Sequence, residues 1–369
     1  MQIEELRTRI DNFETSDEAR PNDVVSPVNF LVEYVHTSAR MARKPLKAQA
    51  MYVEGDSIGQ LFQGGLNQAL ARRVAVFENI DAYVQMITNG VANEVIRREG
   101  PSNPHYATMV TKGKMFADFV TRGGDLVFTN QPKGAVRLLP QVGRNHMKFY
   151  FGDKNGQDFV FAGKVNISEG DFADRPDFLV KFTDPRVVKA LEQLFYQSRQ
   201  GFLRSGSIQC NEQTTIHVDQ GRLLNSPVQA RMIEKIRSSK DTIEGVEPFI
   251  PDIRNLLALN SAKRRGVHVD IVSSMPAAIY DRVLAKTNQL NQALFDRLGE
   301  RDYLSLYPGW IHAATRVFDR RSVIFTTHNL SFWGYAVGTA EWAIETTNPE
   351  IVQQCVAFID KTRNQAQAY

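Results

Sequence analysis

The residues of this sequence with the clearest capacity for chemistry form a short pattern that occurs twice. In the first copy, His146, Lys148 and Asp153 follow the spacing H-x-K-x-x-x-x-D. In the second copy, His312 and Asp319 keep that spacing, and the two histidines lie as far apart as the two aspartates. Self-similarity at a fixed period is typical of a repeated fold, so we interpret the chain as two copies of one unit.

The second copy lacks the lysine of the first, because Ala314 occupies its position. Loss of one donor that stabilises charge in a transition state costs about 2.7–4 kcal/mol, so reduced activity is expected. Three explanations remain open at this point. Ala314 is a natural loss, an engineered substitution that disables the protein, or a loss that Arg316 compensates from two residues further on.

Downstream of each histidine the two copies share an Asn-x-Ser sequence. Asn166 and Ser168 follow the first pattern, and Asn329 and Ser331 follow the second. Histidine, lysine, asparagine and serine side chains all donate hydrogen bonds. Donors grouped around two histidines suit a phosphate diester, whereas no Cys/His set with metal-ligand spacing accompanies them.

Two histidines at one phosphorus atom can divide the work of a substitution. One imidazole, when neutral, can attack phosphorus as a nucleophile. The other, when protonated, can give its proton to the leaving oxygen. Surrounding donors would stabilise the equatorial oxygens while charge redistributes.

The duplicated pattern resembles the phospholipase D superfamily, the HKD enzymes, over nearly the whole chain. The resemblance implies a two-step reaction through a covalent phosphohistidine, with no metal and no cofactor. It implies that His146 is the nucleophile and that His312 is the acid and later the base. It also implies that a phosphate is bound by Lys148, Asn166, Asn329, Ser168 and Ser331.

Carboxylates have two different roles in this resemblance. Asp177 and Glu341 match the acidic residue that orients each histidine. A carboxylate at an imidazole fixes its tautomer and favours the imidazolium. Asp153 and Asp319 complete the motif but are expected to be structural, away from the phosphate.

The elements that must position these residues also repeat along the chain. Leu66–Val76 and Leu259–Val269 each read as a helix that runs through a basic turn into a strand. Val187–Tyr196 and Ile351–Ile359 each read as an amphipathic closing helix. Between motif and asparagine, Asn155-Gly156 predicts a tight hairpin in the first copy.

Alternating strands and helices predict an α/β fold. We expect two pseudo-symmetric α/β/α layered lobes, each with a mixed β-sheet, and an active site at the lobe interface. The first lobe is assigned to residues 1–205 and the second to 206–369, with a link around Gln200–Ser207. Residues 92–140 are interpreted as an insertion peculiar to the first copy, with Pro101, Pro104 and Gly123-Gly124 as loop residues.

Composition restricts the class of protein and its location. The chain has 369 residues, 43% hydrophobic and 23% charged, which excludes disordered, collagen-like and coiled-coil proteins. Cys210 and Cys355 are the two cysteines, so a disulfide scaffold is excluded and a reducing compartment is favoured. The acidic start Met1–Leu6 lacks an apolar signal region. We therefore expect a cytoplasmic protein with at most peripheral membrane contact.

The leading hypothesis is a phosphodiesterase or phosphatidyltransferase that acts on phospholipid, impaired by Ala314. One alternative is a nuclease of the same fold, but a net charge of +3 gives nucleic acid little support. Another is a phosphate- or lipid-binding member that has lost catalysis. The oligomeric state, the headgroup and the acceptor are left open.

Overall fold

Two mixed β-sheets with flanking helices organise the chain in this computed structural model. It describes residues 3–14, 18–51, 53–81, 104–129, 145–172, 175–221, 226–275, 282–297, 302–329 and 339–367. The expected α/β class with two lobes, each containing a mixed sheet, is confirmed.

The first sheet has seven strands in the described residues, in the order β1-β7-β6-β5-β2-β3-β4. Strands β2, β3 and β4 run parallel to one another, and the remaining neighbours are antiparallel. The bounds are β1 (Val24–Val25), β2 (Leu46–Ala50), β3 (Val76–Asp81), β4 (Asp125–Thr129), β5 (Phe149–Lys154), β6 (Gln157–Gly163) and β7 (Leu179–Phe182).

The second sheet has eight strands in the described residues, in the order β12-β11-β10-β13-β14-β15-β9-β8. From β12 to β9 it repeats the order and directions of the first sheet from β4 to β1, and β8 is an additional edge strand. The bounds are β8 (Gly206–Gln209), β9 (Thr214–Gln220), β10 (Thr242–Glu247), β11 (His268–Ser274), β12 (Leu304–Tyr307), β13 (Thr315–Phe318), β14 (Ser322–Thr326) and β15 (Ala340–Thr346).

The helices repeat in the same way. Ser26 caps the helix that directly precedes β2, and Ser226 caps the helix that directly precedes β10. In both helices a proline occupies the first helical position. The helices are α1 (Ile3–Asp11), α2 (Pro27–Arg40), α3 (Ser57–Ala71), α4 (Pro104–Thr121), α5 (Glu169–Phe172), α6 (Pro185–Gln200), α7 (Pro227–Ser238), α8 (Ile253–Arg264), α9 (Arg282–Arg297) and α10 (Pro349–Gln367).

Several local predictions are confirmed. Helix α3 leads through a basic turn into β3, and α8 leads in the same way into β11. The closing helices are α6 and α10. Asn155 and Gly156, with φ of 53° and 93°, form the two-residue turn between β5 and β6. Positive φ at both central residues is what a type I′ hairpin requires.

The prediction that residues 92–140 are a first-copy insertion is wrong. Their described part, 104–129, contains α4 and β4, and these correspond to α9 and β12 of the second copy. Pro104, which the sequence analysis places in a loop, is the first residue of α4. At this position a backbone N–H would have no partner within the helix, so a proline costs no hydrogen bond. Gly123 and Gly124 form the turn that leads into β4 rather than a longer loop.

The two cores differ at one equivalent pair of positions. In the first copy, Gln63 of α3 and Glu78 of β3 are buried among aromatic residues such as Tyr34. The corresponding positions in the second copy are Leu256 and Ile271, which lie in its apolar core. Burial raises the pKa of Glu78 to about 8, and neither of its carboxylate oxygens has a hydrogen-bond partner among the described residues.

The chain divides into two compact units by its internal contacts. The first unit contains the described residues up to Leu203, with the exception of the short segment Arg175–Phe178. That segment groups with the second unit, which otherwise begins at Arg204. The assignment of the two lobes to residues 1–205 and 206–369 remains a prediction.

Candidate functional site

The residue directly before each motif histidine is hydrogen-bonded to the last residue of a parallel strand. The backbone N–H of Asn145 donates to the carboxylate of Asp81, the last residue of β3. In the second unit, the N–H of Ile311 donates to Oγ of Ser274, the last residue of β11, at 2.8 Å. Sequence reasoning missed both anchors, although a polar residue at the carboxyl end of a parallel strand was a usable signal.

His146 and Lys148 lie just before β5, which begins at Phe149. Both are buried, with His146 7% exposed and Lys148 fully inaccessible. Lys148 Nζ donates to the backbone oxygen of His146 at 2.9 Å. This contact keeps the ammonium group of Lys148 next to the backbone of His146.

His312 is held by a carboxylate in the second unit. Its Nδ1 lies 2.7 Å from Oδ2 of Asp177, whose side chain is completely buried. The other oxygen, Oδ1, accepts the N–H of Phe178 at 2.8 Å, which fixes the orientation of the carboxylate. Nδ1 is therefore the nitrogen that faces the acid, and Nε2 lies on the opposite edge of the ring.

The backbone of Arg175–Phe178 is hydrogen-bonded to the segment that carries His312. The oxygen of Pro176 accepts the N–H groups of His312 and Ala313, each at 3.1 Å. The ring of Phe178 packs against Phe325 with centroids 6.0 Å apart. Backbone hydrogen bonds and aromatic packing together place Asp177 beside His312.

The asparagines and serines of the repeats differ in their surroundings. Asn166 is 2% exposed, and its Oδ1 has no hydrogen-bond partner among the described residues. Ser168 Oγ donates to Asp171 at 2.9 Å and accepts the Asp171 N–H, so it caps α5. Asn329 is half-buried just beyond β14. Ser331 lies outside the described residues.

The two motif aspartates make equivalent contacts with backbone. Asp153 accepts the N–H groups of Arg43 and Lys44, at 2.6 and 3.2 Å, in the turn before β2. Asp319 accepts those of residues 240–242 in the turn before β10. Burial acts to raise the pKa of Asp319, but these amide donors outweigh it and hold the pKa below its usual value.

The position of the missing lysine is enclosed, and Arg316 does not take it over. Ala314 is 3% exposed. Arg316 is fully buried and forms an ion pair with Glu247, while its Nη1 donates to Asn255 at 3.1 Å. Because Glu247 neutralises this guanidinium, the structure gives no support to compensation by Arg316.

Glu341, the second residue matched to an orienting acid, faces a carboxyl group that sequence reasoning missed. It lies directly opposite Asp219 in the register between β15 and β9, and both side chains are buried. The pKa of Asp219 is raised to about 6, mainly by burial and also by the charge of Glu341. Asp219 lies within β9, in which Ile216 and Val218 alternate with polar residues, and this pattern was the available signal.

The described residues contain no group of three or more His, Cys, Asp or Glu side chains that could hold a metal ion. No helix among them is long and apolar enough to cross a bilayer. The functional groups present are two imidazoles, an ammonium and amide or hydroxyl donors. These are suited to binding an anion and to moving protons.

Comparisons with known proteins give one matching family model and several similar solved structures. A sequence model of the family described as "Cardiolipin synthase, PLD-like domain" matches residues 232–362. No curated protein matches the chain. Among solved structures, phosphatidylserine synthase from Haemophilus influenzae Rd KW20 is similar, with a TM-score of 0.64 at 11% identity, covering 99% of this chain and 90% of that one.

Two further structures are similar to smaller extents. Polyphosphate kinase from Porphyromonas gingivalis gives a TM-score of 0.55 at 10% identity, covering 91% of this chain and 45% of that one. A phospholipase D family member from Salmonella typhimurium covers 41% of this chain and 95% of its own, with a TM-score of 0.33 at 18% identity. At 11% and 10% identity, the likeness to the synthase and to the kinase concerns the fold alone.

Proposed function

We propose that the chain, whose residues 232–362 match the PLD-like family model, is a phosphodiesterase or phosphatidyltransferase acting on phospholipid. The substrate proposal rests on the lipid chemistry named in the matching family and in the similar synthase. The modest net charge of +3 suits a single phosphate group better than a nucleic-acid backbone.

The observation that carries the proposal is the contact between His312 and Asp177 at 2.7 Å. A carboxylate at Nδ1 stabilises an imidazolium and fixes the tautomer. His312 can then carry a proton on Nε2 and donate it to a leaving oxygen. This is the role of a general acid.

The proposed reaction has two balanced steps. A ring nitrogen of His146 attacks phosphorus, the bond to the headgroup oxygen breaks, and that oxygen takes the proton of His312. Water or an alcohol then gives a proton to His312 and attacks phosphorus, and the phosphorus–nitrogen bond breaks. Both histidines return to their starting states, so the chemistry is a double displacement.

The remaining motif residues are proposed to hold the phosphate and the nucleophile. Lys148 supplies the ammonium of the motif, and Asn166, Asn329 and Ser331 supply donors to the non-bridging oxygens, whereas the hydroxyl proton of Ser168 is donated to Asp171. Asp177, which contacts His312, and Glu341 are proposed as the acids that orient the histidines. With Ala314 in place of a second lysine, the charge on the phosphate is less well compensated, which reduces the rate.

Headgroup release from vesicles tests the proposal. We would incubate the wild type and Ala314→Lys with phosphatidylglycerol vesicles and an alcohol acceptor, and quantify phosphatidic acid and phosphatidyl alcohol by mass spectrometry. His312→Ala is the matched inactive control. Turnover that disappears in His312→Ala supports the proposal.

The opposite outcomes identify the alternatives. If neither protein turns over any phospholipid but both cleave an oligonucleotide, the chain is a nuclease of this fold. If neither class of diester is cleaved while the vesicles bind the protein, it is a binding member without catalysis. Either result overturns the proposed activity.

A further inference from the structure

A serine, a histidine and a glutamate form a hydrogen-bonded triad across three neighbouring strands of the second sheet. Oγ of Ser207, on β8, lies 2.8 Å from Nδ1 of His217, on β9. Nε2 of the same ring lies 3.1 Å from Oε2 of Glu345, on β15. All three residues belong to the second compact unit. A serine linked through an imidazole to a carboxylate is the arrangement that activates a hydroxyl as a nucleophile.

The strand register places the three side chains on one face of the sheet. Ser207 is directly opposite His217 in the pairing of β8 with β9. His217 is in turn opposite Ala343 in the pairing of β9 with β15. Glu345 lies two residues beyond Ala343 and so shares its face, at a diagonal distance that long side chains can span. The spacing of the triad is therefore set by backbone pairing.

The carboxylate of Glu345 is kept ionised and fixed in place. Burial acts to raise its pKa, but hydrogen bonds from His217 and Arg231 outweigh burial and hold the pKa well below its usual value. Arg231, on α7, donates to both carboxylate oxygens, at 2.7 and 2.9 Å. Lys235 lies 3.3 Å from Oε1. Glu345 thus presents a charged acceptor to the histidine.

The charge on Glu345 determines which nitrogen of His217 carries the proton. An ionised carboxylate has no hydrogen to donate, so Nε2 of the ring must donate to it. In the neutral imidazole, Nδ1 is then unprotonated and accepts the hydroxyl hydrogen of Ser207. The proton of the serine therefore already points at a base.

Ser207 is open to solvent, whereas His217 is only 6% exposed. Strand β8 is the edge of the sheet among the described residues. The N–H of Cys210 donates to the oxygen of Thr214, at 2.9 Å, and N–H directions alternate along an antiparallel strand. The N–H of Ser207 therefore points away from β9, toward the open edge. There it can donate to the carbonyl oxygen of a substrate.

We propose that Ser207, His217 and Glu345 form a second reactive site, which hydrolyses short-chain acyl esters independently of the phosphodiester chemistry. Oγ of Ser207 attacks the carbonyl carbon while its proton passes to Nδ1 of His217, and the Ser207 N–H stabilises the oxyanion. The bond from carbon to the alcohol oxygen breaks, and the alcohol leaves with that proton.

Water then completes the cycle. It gives a proton to His217 and attacks the acyl carbon, the bond to Ser207 breaks, and the proton returns to Oγ. One ester and one water give one acid and one alcohol, and the site is restored. Glu345 touches no substrate and acts through the histidine, so it is a positioning residue.

Covalent labelling of the full chain with a fluorophosphonate tests whether the serine is activated. Oγ attacks phosphorus and fluoride leaves, so tandem mass spectrometry locates the adduct. We expect it on Ser207, with loss of the label in Ser207→Ala. The labelling rate should fall by about 10²–10⁴-fold in His217→Ala, which lacks the general base. Ser205→Ala is the matched control, since Oγ of Ser205 accepts the N–H of Gln220 at 3.0 Å and contacts no base there.

Hydrolysis of p-nitrophenyl acetate tests the role of Glu345. In Glu345→Gln an amide N–H can face Nε2 and so permit the tautomer in which Nδ1 carries the proton. We expect kcat to fall by about 10²–10⁴-fold while KM is unchanged. Glu244→Gln is the control, because Glu244 is also buried and also binds an arginine through both oxygens, Arg320 at 2.9 Å. It should keep the wild-type kcat.

Four outcomes overturn the inference. They are an adduct on a residue other than Ser207, labelling of Ser207 at the wild-type rate in His217→Ala, equal losses of kcat in Glu345→Gln and Glu244→Gln, and a folded wild type that neither labels nor hydrolyses the ester. Loss of ester hydrolysis in His312→Ala would place that activity at the phosphodiester site and overturn it as well. Failure of the proposed phospholipid activity leaves this inference standing, because Ser207 labelling is measured separately.

Discussion

Asp177 Oδ2 lies 2.7 Å from His312 Nδ1, so a carboxylate from the first sequence copy holds the histidine of the second. The segment Arg175–Phe178 groups with the second unit, although the residues on both sides of it in sequence belong to the first. Pro176 accepts backbone N–H groups of the histidine segment. The second unit therefore depends on the first copy for an element of its proposed catalytic acid.

Asp177→Asn should prevent His312 from acting as the general acid while keeping the shape of the site. Its Oδ1 can still accept the N–H of Phe178, but an amide group then faces Nδ1 of His312. The ring would hold the wrong tautomer, and we expect kcat to fall by about 10²–10⁴-fold. Steady-state assays on phosphatidylglycerol measure this, with Asp184→Asn at the cap of α6 as control. A fall below twofold would contradict the assignment.

Ala314→Lys should raise activity. The substitution restores the second motif cation, and stabilisation by one such donor corresponds to about 10²-fold or more in kcat. The paired change Lys148→Ala should lower activity by a similar factor. Both rates are compared with wild type after circular dichroism has established that the variants fold. A folded Ala314→Lys protein with the wild-type rate would show that the missing lysine does not limit turnover.

Glu78→Gln should stabilise the first unit in a pH-dependent way. The raised folded pKa, about 8, means that stability is fully present below the unfolded value and is lost as pH rises toward 8. The variant should match wild type at about pH 4 and exceed it by about 2–3 kcal/mol at about pH 7. Urea denaturation checks this, with the exposed Glu5→Gln as control. A difference that does not depend on pH would rule out the titration of Glu78.

Asp153→Ala and Asp319→Ala should each destabilise their own unit. Each carboxylate holds backbone N–H groups of the turn before a central strand. Loss of these acceptors leaves amides unsatisfied, at a cost of about 1–3 kcal/mol in unfolding free energy. For Asp319, whose pKa is lowered, this contribution should fade as pH falls below about 4. Equal stability of variant and wild type at neutral pH would contradict the structural role.

The repeat itself was the part of the fold that could be predicted. The spacing of the histidines and aspartates, the Asn155-Gly156 turn and the closing helices follow from local chemistry. Strand β4 and helix α4 were missed because Pro104 was read as a loop residue, whereas it starts the helix. A proline limits where a helix begins without excluding one.

The site was predictable in its residue types and less so in its contacts. Matching Asp177 to Glu341 predicted an orienting role but did not say which histidine each would serve. That depends on the path of Arg175–Phe178, which is set by backbone pairing with the distant residues His312 and Ala313. Asp219 was missed since its significance arises from its register opposite Glu341.

The most direct test of the central claim is the identity of the residue that becomes covalently attached to phosphorus. We would treat His312→Ala with an aryl phosphodiester, whose leaving group needs no proton, and map the adduct by mass spectrometry. The account predicts an acid-labile phosphoramidate on His146 that accumulates because its hydrolysis lacks a base. An adduct on another residue, or rapid hydrolysis without any adduct, would contradict it.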